Sequence, residues 1–131
     1  LGVGFNTPII IRFPFEKMVR ENSSYSLIRL NMDEAVLKQY SGEEEKITIS
    51  EKIDNKKIVS VGAFAFSEHR EIVEITLPET VVSIGAHAFY NCRNLASITL
   101  YDTVTDIGDG AFKNCYRLHN INIIAIHSSN I

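Results

Sequence analysis

A repeated alternation of apolar and polar positions runs through the second half of the chain. Residues 75–97 can be laid over residues 98–120 without a gap, and 12 of the 23 aligned positions are identical. Most of the shared residues are Ile, Leu, Val, Ala or Phe. A unit this short cannot bury a core alone, so such units stack and cover each other's apolar faces. The pattern therefore predicts a repeat solenoid.

Two less regular copies flank this pair. The upstream copy needs an insertion of five residues near 54–57 to fall into register. Its matching positions are Ile47, Ile49, Val61, Gly62, Ala65, Phe66 and Ile72. A downstream copy starts at Ile121 and then departs from the pattern. We therefore expect three repeats and a partial fourth over residues 47–131.

Each unit predicts a defined succession of local structures. The spacing Leu-x-x-Ile-x-Leu over residues 95–100 is typical of a short strand whose alternate side chains point inward. Residues 81–84 predict a second extended piece, and Gly85 then lets the backbone turn sharply, through a positive φ if needed. Ala88 allows close approach of the next coil and Phe89 fills the interior. We expect a short helical or 3₁₀ turn at these two residues.

The ends of a solenoid leave raw apolar surface that must be covered. Residues 1–46 are long enough to form an N-terminal cap. The elements expected there are a strand at 9–13, a short helix at 15–19, and two further strands at 25–31 and 35–40. At the other end, residues 121–126 are mostly apolar and little chain follows. This predicts either a C-terminal strand paired across a homodimer or a natural protein that continues.

Composition narrows the class of protein. The 131 residues carry a net charge of −3, with 45% hydrophobic and 22% charged residues, which is typical of one globular domain. There is no basic block to neutralise phosphates, so nucleic acid is not an expected partner. No apolar run approaches the length that a membrane-spanning helix needs. The chain starts at Leu1 rather than Met and is interpreted as mature or trimmed.

Candidates for chemistry are few. Cys92 and Cys115 occupy equivalent positions in successive repeats, about 4.8 Å apart in a stack, which a disulfide could span. Equivalent side chains point the same way, however, so we expect two reduced thiols packed as small hydrophobic groups. His69 aligns with them, but such a column is a poor tetrahedron for zinc. No nucleophile, base and orienting group converge. We predict no catalytic residue, cofactor or metal.

The outward positions of the predicted strands form the strongest candidate surface. They are Lys46 and Thr48, then Glu74, Thr76, Ser97, Thr99, Tyr101, Asn120 and Asn122. Two interpretations stay open. Thr and Ser suit exposed strand positions in any protein, or this face recognises a ligand, as extended solenoid surfaces do.

The stretch "ITLPETVVSIGAHAFYNCRNLASITL" resembles the BspA-like class of leucine-rich repeat, whose units read I-x-L-P-x-S/T-V-x-x-I-G-x-x-A-F-x-x-C-x-x-L. The resemblance extends over residues 25–123. Tyr101 departs from it, since it stands where the preceding unit has Pro78. The resemblance implies a β-rich, right-handed β–α superhelix with short helical turns and a short N-terminal β cap.

The resemblance also implies a function. It predicts a non-enzymatic bacterial protein, secreted or at the cell surface, that adheres to a host, matrix or other cell-surface protein. The alternative is a structural spacer or assembly module of a larger surface protein, without a ligand of its own. If the chain does bind a ligand, recognition should depend on positions that differ between copies. These are Pro78 and Tyr101, His87 and Gly110, and Arg93 and Tyr116.

Overall fold

The structure is a computed structural model that describes residues 24–126. It forms two sheets that run along a common axis. The first has six strands, β1 (Tyr25–Arg29), β2 (Glu34–Tyr40), β4 (Lys52–Ile53), β5 (Lys56–Val61), β7 (Ser83–Ile84) and β9 (Asp106–Ile107). The second has four parallel strands, β3 (Lys46–Thr48), β6 (Glu74–Thr76), β8 (Ser97–Tyr101) and β10 (Asn120–Ile124). The strand at 9–13 and the helix at 15–19 lie outside the described residues.

The chain alternates between the two sheets, so each passage forms one coil. We number them coil 1 (46–73), coil 2 (74–96), coil 3 (97–119) and coil 4 (120–126). Ile75 pairs with Ile98 and Ile98 with Ile121, which is the predicted register of 23 residues. The predicted repeat solenoid is therefore confirmed.

The insertion in coil 1 forms a small hairpin. Strands β4 and β5 pair antiparallel, and Asp54 and Asn55 between them have φ values of 52° and 64°. Two left-handed residues in a two-residue loop match the twist of the flanking strands. The extra residues are thus looped out at the predicted place, and Ile47 still pairs in register with Ile75.

A second hairpin precedes coil 1. Strands β1 and β2 pair antiparallel, and β2 then runs parallel to β5, so the hairpin extends the six-stranded sheet. Nε2 of His69 lies 2.9 Å from the carbonyl oxygen of Tyr40, and its Nδ1 lies 2.7 Å from Oε2 of Glu71. His69 therefore fixes coil 1 to the end of β2. The division into a cap at 1–46 and a solenoid at 47–131 stays a prediction.

The segment after each glycine is not helical, which corrects the expected helical turn. No helix occurs among residues 24–126. In coil 2 the N–H groups of Ala88, Tyr90 and Cys92 donate within the turn, to carbonyls three residues earlier. The N–H groups between them, at His87, Phe89 and Asn91, donate to carbonyls of coil 3 instead. In a helix all of these N–H groups would donate within the segment. Here half of them donate to the neighbouring coil instead.

Gly85 and Gly108 serve close approach rather than a left-handed turn. A Cβ on Gly85 would lie 2.6 Å from the amide nitrogen of Ala63, and one on Gly108 would lie 2.5 Å from that of Ala86. Contacts under 3.0 Å require the backbone to move. The left-handed residues occur further along, at Phe64, His87 and Gly110 in successive coils. The positive φ that the sequence allowed at the first glycine of each unit does not occur.

The core is a set of side-chain columns that run along the axis. In coil 2 the inward residues Ile75, Leu77, Val81, Ile84, Ala88, Phe89, Cys92 and Leu95 are all buried. One column is aromatic. Tyr25, Tyr40, Phe66, Phe89 and Phe112 follow each other with ring centroids 5.2–5.3 Å apart. The predicted interior role of Phe89 is confirmed, and the N-terminal hairpin supplies two rings of the same column.

Candidate functional site

The four-stranded sheet brings the predicted outward residues into two straight rows. Parallel pairing without a register shift places each of them beside its equivalent in the next strand. One row is Lys46, Glu74, Ser97 and Asn120, and the other is Thr48, Thr76, Thr99 and Asn122. Tyr101 lies at the end of β8, paired with Ile124. We call these residues the strand face.

The strand face is polar and accessible, and charge is confined to one row. Thr48, Asn120 and Asn122 are exposed, and Thr76 and Thr99 are half-buried. Nδ2 of Asn122 lies 3.4 Å from Oγ1 of Thr99. Hydroxyls and amides both donate and accept hydrogen bonds. The arrangement can therefore bind extended polar surface, such as a protein backbone or side-chain amides.

The two cysteines lie on the opposite, inner side of the coil. Sγ of Cys92 donates to the carbonyl oxygen of Phe66 at 3.0 Å, and Sγ of Cys115 to that of Phe89 at 3.1 Å. No disulfide joins the two sulfur atoms in this structure. Burial raises the pKa of Cys92 to about 12, and it also raises the pKa of Cys115. A thiol held neutral is a poor nucleophile and a poor metal ligand.

His69 continues this column into coil 1, but its ring bonds Tyr40 and Glu71, as described above. Among the residues that the structure describes, no group of three His, Cys, Asp or Glu side chains could hold a metal ion. The same residues include no helix long and apolar enough to cross a membrane.

One polar ladder was missed by sequence reasoning. Nδ2 of Asn114 donates to Oδ1 of Asn91 at 2.8 Å, and Nδ2 of Asn91 donates to Oε2 of Glu68 at 2.9 Å. All three residues have positive φ, between 60° and 67°. Asn adopts this conformation more readily than other non-glycine residues. The repeated Asn at the same position of coils 2 and 3 was the available signal.

Two of the three pairs of positions that differ between copies form small contacts on the turn side of the coils. The ring of His87 stacks on Phe64 at 5.0 Å and meets Tyr90 edge-on at 5.6 Å. Its Nε2 would lie 2.8 Å from a Cβ on Gly110, so the ring also covers that glycine. The guanidinium carbon of Arg93 lies 5.8 Å from the ring centre of Tyr116. These residues lie outside the strand face.

Comparison with known proteins gives a consistent result. The sequence model described as BspA type leucine rich repeat region (6 copies) matches residues 39–130. No curated protein sequence matches the chain. A leucine rich cell surface protein from Faecalibacterium prausnitzii A2-165 is structurally similar, with a TM-score of 0.69 and 28% identity over 79% of this chain. The chain spans 31% of that protein's structure.

A second solved structure has the same fold. It is the leucine rich repeat protein of T. pallidum, with a TM-score of 0.50 and 17% identity over 78% of this chain and 83% of that one.

Proposed function

Because the chain belongs to the BspA-type leucine-rich-repeat family, we propose that it is a non-catalytic module that binds another protein, in a bacterial protein that is secreted or at the cell surface. Its role would be adhesion to a host, matrix or other cell-surface protein. The strand face is the binding surface.

The observation that carries this proposal is the parallel register of the four-stranded sheet. It aligns seven candidate residues with no insertion between neighbouring strands. The resulting surface is made of hydroxyls and amides, which donate and accept hydrogen bonds, and of one glutamate, whose carboxylate accepts them. Its residues are Glu74, Thr76, Ser97, Thr99, Tyr101, Asn120 and Asn122.

The proposed location is supported by the similar protein from F. prausnitzii, which is described as a cell surface protein. This chain spans 31% of that protein's structure, so the activity of the whole protein is carried over here as a proposal only.

Substitution at the centre of the strand face tests the proposal. Binding of the chain to immobilised extracellular-matrix proteins is measured by biolayer interferometry. Thr99→Arg adds a bulky charge in the middle of the face, and we expect it to weaken binding by about tenfold or more. Thr105→Arg makes the same change at an exposed residue next to β9 of the other sheet. We expect it to change binding by less than about twofold.

Equal binding by Thr99→Arg and the wild type would show that the strand face is not the surface used. If the wild-type chain bound none of the immobilised proteins, the result would favour the alternative that the chain is a structural spacer without a ligand.

A further inference from the structure

Charge is segregated within coils 2 and 3. The acidic residues of these two coils all precede the phenylalanine of the aromatic column, and they are Glu74, Glu79, Asp102, Asp106 and Asp109. The lysines and arginines all follow that phenylalanine, and they are Arg93, Lys113 and Arg117. Because the coils stack in register, the positive charges gather on one side of the stack, between the turns and the four-stranded sheet.

Equivalent positions in successive coils bring the arginines of this side together. Arg93 and Tyr116 occupy the same position of coils 2 and 3, and the guanidinium of Arg93 lies over the ring of Tyr116. Arg117 follows Tyr116 directly. Arg70 holds the same position in coil 1, where its carbonyl oxygen accepts a hydrogen bond from Nδ2 of Asn94. We call Arg70, Arg93, Tyr116 and Arg117 the basic flank.

The members of the basic flank are exposed and form no internal ion pair. Arg93 is exposed although coil 1 lies on one side of it and coil 3 on the other. Neither of the two ion pairs within residues 24–126 includes a member of the flank. The two acidic residues of the same segment in coil 1, Glu68 and Glu71, bond side chains outside the flank. A carboxylate from a ligand therefore displaces no internal partner when it binds here.

The chemistry and spacing of the basic flank fit an acidic protein segment. A guanidinium group binds a carboxylate through two parallel hydrogen bonds, and stacking on Tyr116 leaves the edge of the Arg93 guanidinium free for them. Tyr and Arg are also residue types in which binding energy at protein interfaces concentrates. Arg117 lies one coil and one residue beyond Arg93, which places their Cα atoms about 6 Å apart. Alternate residues of an extended segment have nearly the same separation, about 6.7 Å.

A uniformly charged polymer fits this surface less well. Nucleic acids and sulfated polysaccharides carry negative charge along their whole length, whereas the flank offers three guanidinium groups in a chain of net charge −3. Glu74, in the adjoining row of the strand face, repels further negative charge. Isolated carboxylates within an otherwise polar segment match the flank and the strand face together.

We propose that the basic flank binds two carboxylates of the protein partner, at alternate positions of an extended segment. Arg93 and Arg117 bind one carboxylate each. The rest of the segment continues onto the strand face, which Asn120 reaches three residues after Arg117. This inference rests on the proposed function, since it specifies the chemistry of the partner proposed there.

Two synthetic peptides test this chemistry without any matrix protein. One alternates threonine with glutamate over about ten residues, and the other alternates threonine with glutamine over the same length. Fluorescence anisotropy measures the affinity of the 131-residue chain for each labelled peptide. We expect the glutamate peptide to bind about tenfold more tightly at about 50 mM NaCl. At about 300 mM NaCl this preference should fall by about threefold, because salt screens exposed charge pairs.

Single charge removals locate the site of this binding. Arg93→Gln and Arg117→Gln change exposed residues and should leave the fold intact. Each should weaken binding of the glutamate peptide by about fivefold. Arg29→Gln is the matched control, because it removes the same charge from an exposed residue on β1 of the other sheet. It should change binding by less than about twofold.

Three results would overturn this inference. The first is equal affinity of the wild type for the two peptides, or an equal loss in Arg29→Gln and Arg93→Gln, since such a loss reports net charge alone. The second is tighter binding of heparin than of the glutamate peptide, lost in Arg93→Gln and Arg117→Gln, which assigns the flank to sulfated polysaccharides. The third is a matrix protein that the wild type and the double variant of Arg93 and Arg117 bind equally well. That third result leaves the proposed function intact, because its own test is Thr99→Arg.

Discussion

Coil 3 and coil 4 carry the same apolar pattern and differ in what covers it. The inward residues Leu95, Ile98 and Leu100 follow the spacing that Leu118, Ile121 and Ile123 repeat. The first three are buried between neighbouring coils, and the second three are half-buried or exposed. The pattern in a repeat thus specifies which side chains point inward. Whether they are buried depends on a neighbour that the repeat itself does not encode.

Truncation of an equivalent isoleucine in the two coils should give the largest difference. Ile98→Ala removes fully buried atoms and leaves a cavity, which should cost about 3 kcal/mol. Ile121→Ala removes atoms that are already half exposed, and it should cost less than about 1 kcal/mol. Urea unfolding of both variants measures the free energy of unfolding.

Equal losses for the two variants would mean that Ile121 is covered in the monomer.

Truncation of the two asparagines of the polar ladder should also give unequal losses in the free energy of unfolding, with a smaller difference. Asn91 bonds both Glu68 and Asn114, and it is buried. Asn91→Ala therefore breaks two hydrogen bonds and puts alanine at a positive φ, at a cost of about 2 kcal/mol. Asn114→Ala also puts alanine at a positive φ, but it breaks only one of these bonds at a half-buried site and should cost about 1 kcal/mol. Thermal unfolding followed by circular dichroism ranks the two, and the reverse order would contradict this account of the ladder.

The titration of Cys92 should have the smallest effect on the free energy of unfolding. This effect appears only at alkaline pH. Burial raises the pKa of Cys92 to about 12, so the folded chain keeps that proton while the unfolded chain loses it from about pH 9. The folded state then binds more protons than the unfolded state, and the free energy of unfolding falls as pH rises from about 9 to about 12. Below pH 9 both states are protonated and this contribution disappears.

Unfolding curves of the wild type and Cys92→Ala between pH 7 and pH 11 measure this slope. The wild type should lose stability more steeply with pH than the variant, in which Tyr25, with its pKa raised to about 12, still titrates in the same direction. Alkylation at pH 8 gives a second reading, since half-buried Cys115 should react before buried Cys92. Parallel slopes would show that Cys92 does not titrate differently on folding.

The repeat was predictable because its information is local and written more than once. Twelve identities at a fixed period determine the register, and the structure pairs Ile75 with Ile98 as the sequence indicates. The insertion was also found, because the period fails by five residues at one place. Asp54 and Asn55 are common turn residues, and they form the hairpin loop there.

The turns were not predictable in the same way. A helical turn was expected after Gly85, but every second N–H in that segment bonds the next coil. Those bonds join residues far apart in sequence, so local propensity does not report them. The left-handed residues that result include Phe64, a residue type that rarely adopts that conformation.

The residues of the strand face could be predicted from the sequence, but its function could not. Its membership follows from strand alternation, and the sheet aligns Thr76, Thr99 and Asn122 as the pattern predicts. Its role as a binding surface stays a prediction, because polar residues at exposed strand positions are compatible with both interpretations.

The coil-to-coil hydrogen bonds have a mechanical consequence. They run parallel to the solenoid axis at three places around each coil, from the strands of both sheets and from alternate N–H groups of the turns. A pulling force along that axis is carried equally by every coil-to-coil junction, and a terminal coil can detach first because it is bonded on one side only. Coils should therefore peel off singly, each releasing about 80 Å of extended chain. In an attached protein such stepwise lengthening absorbs load while the remaining coils keep their structure.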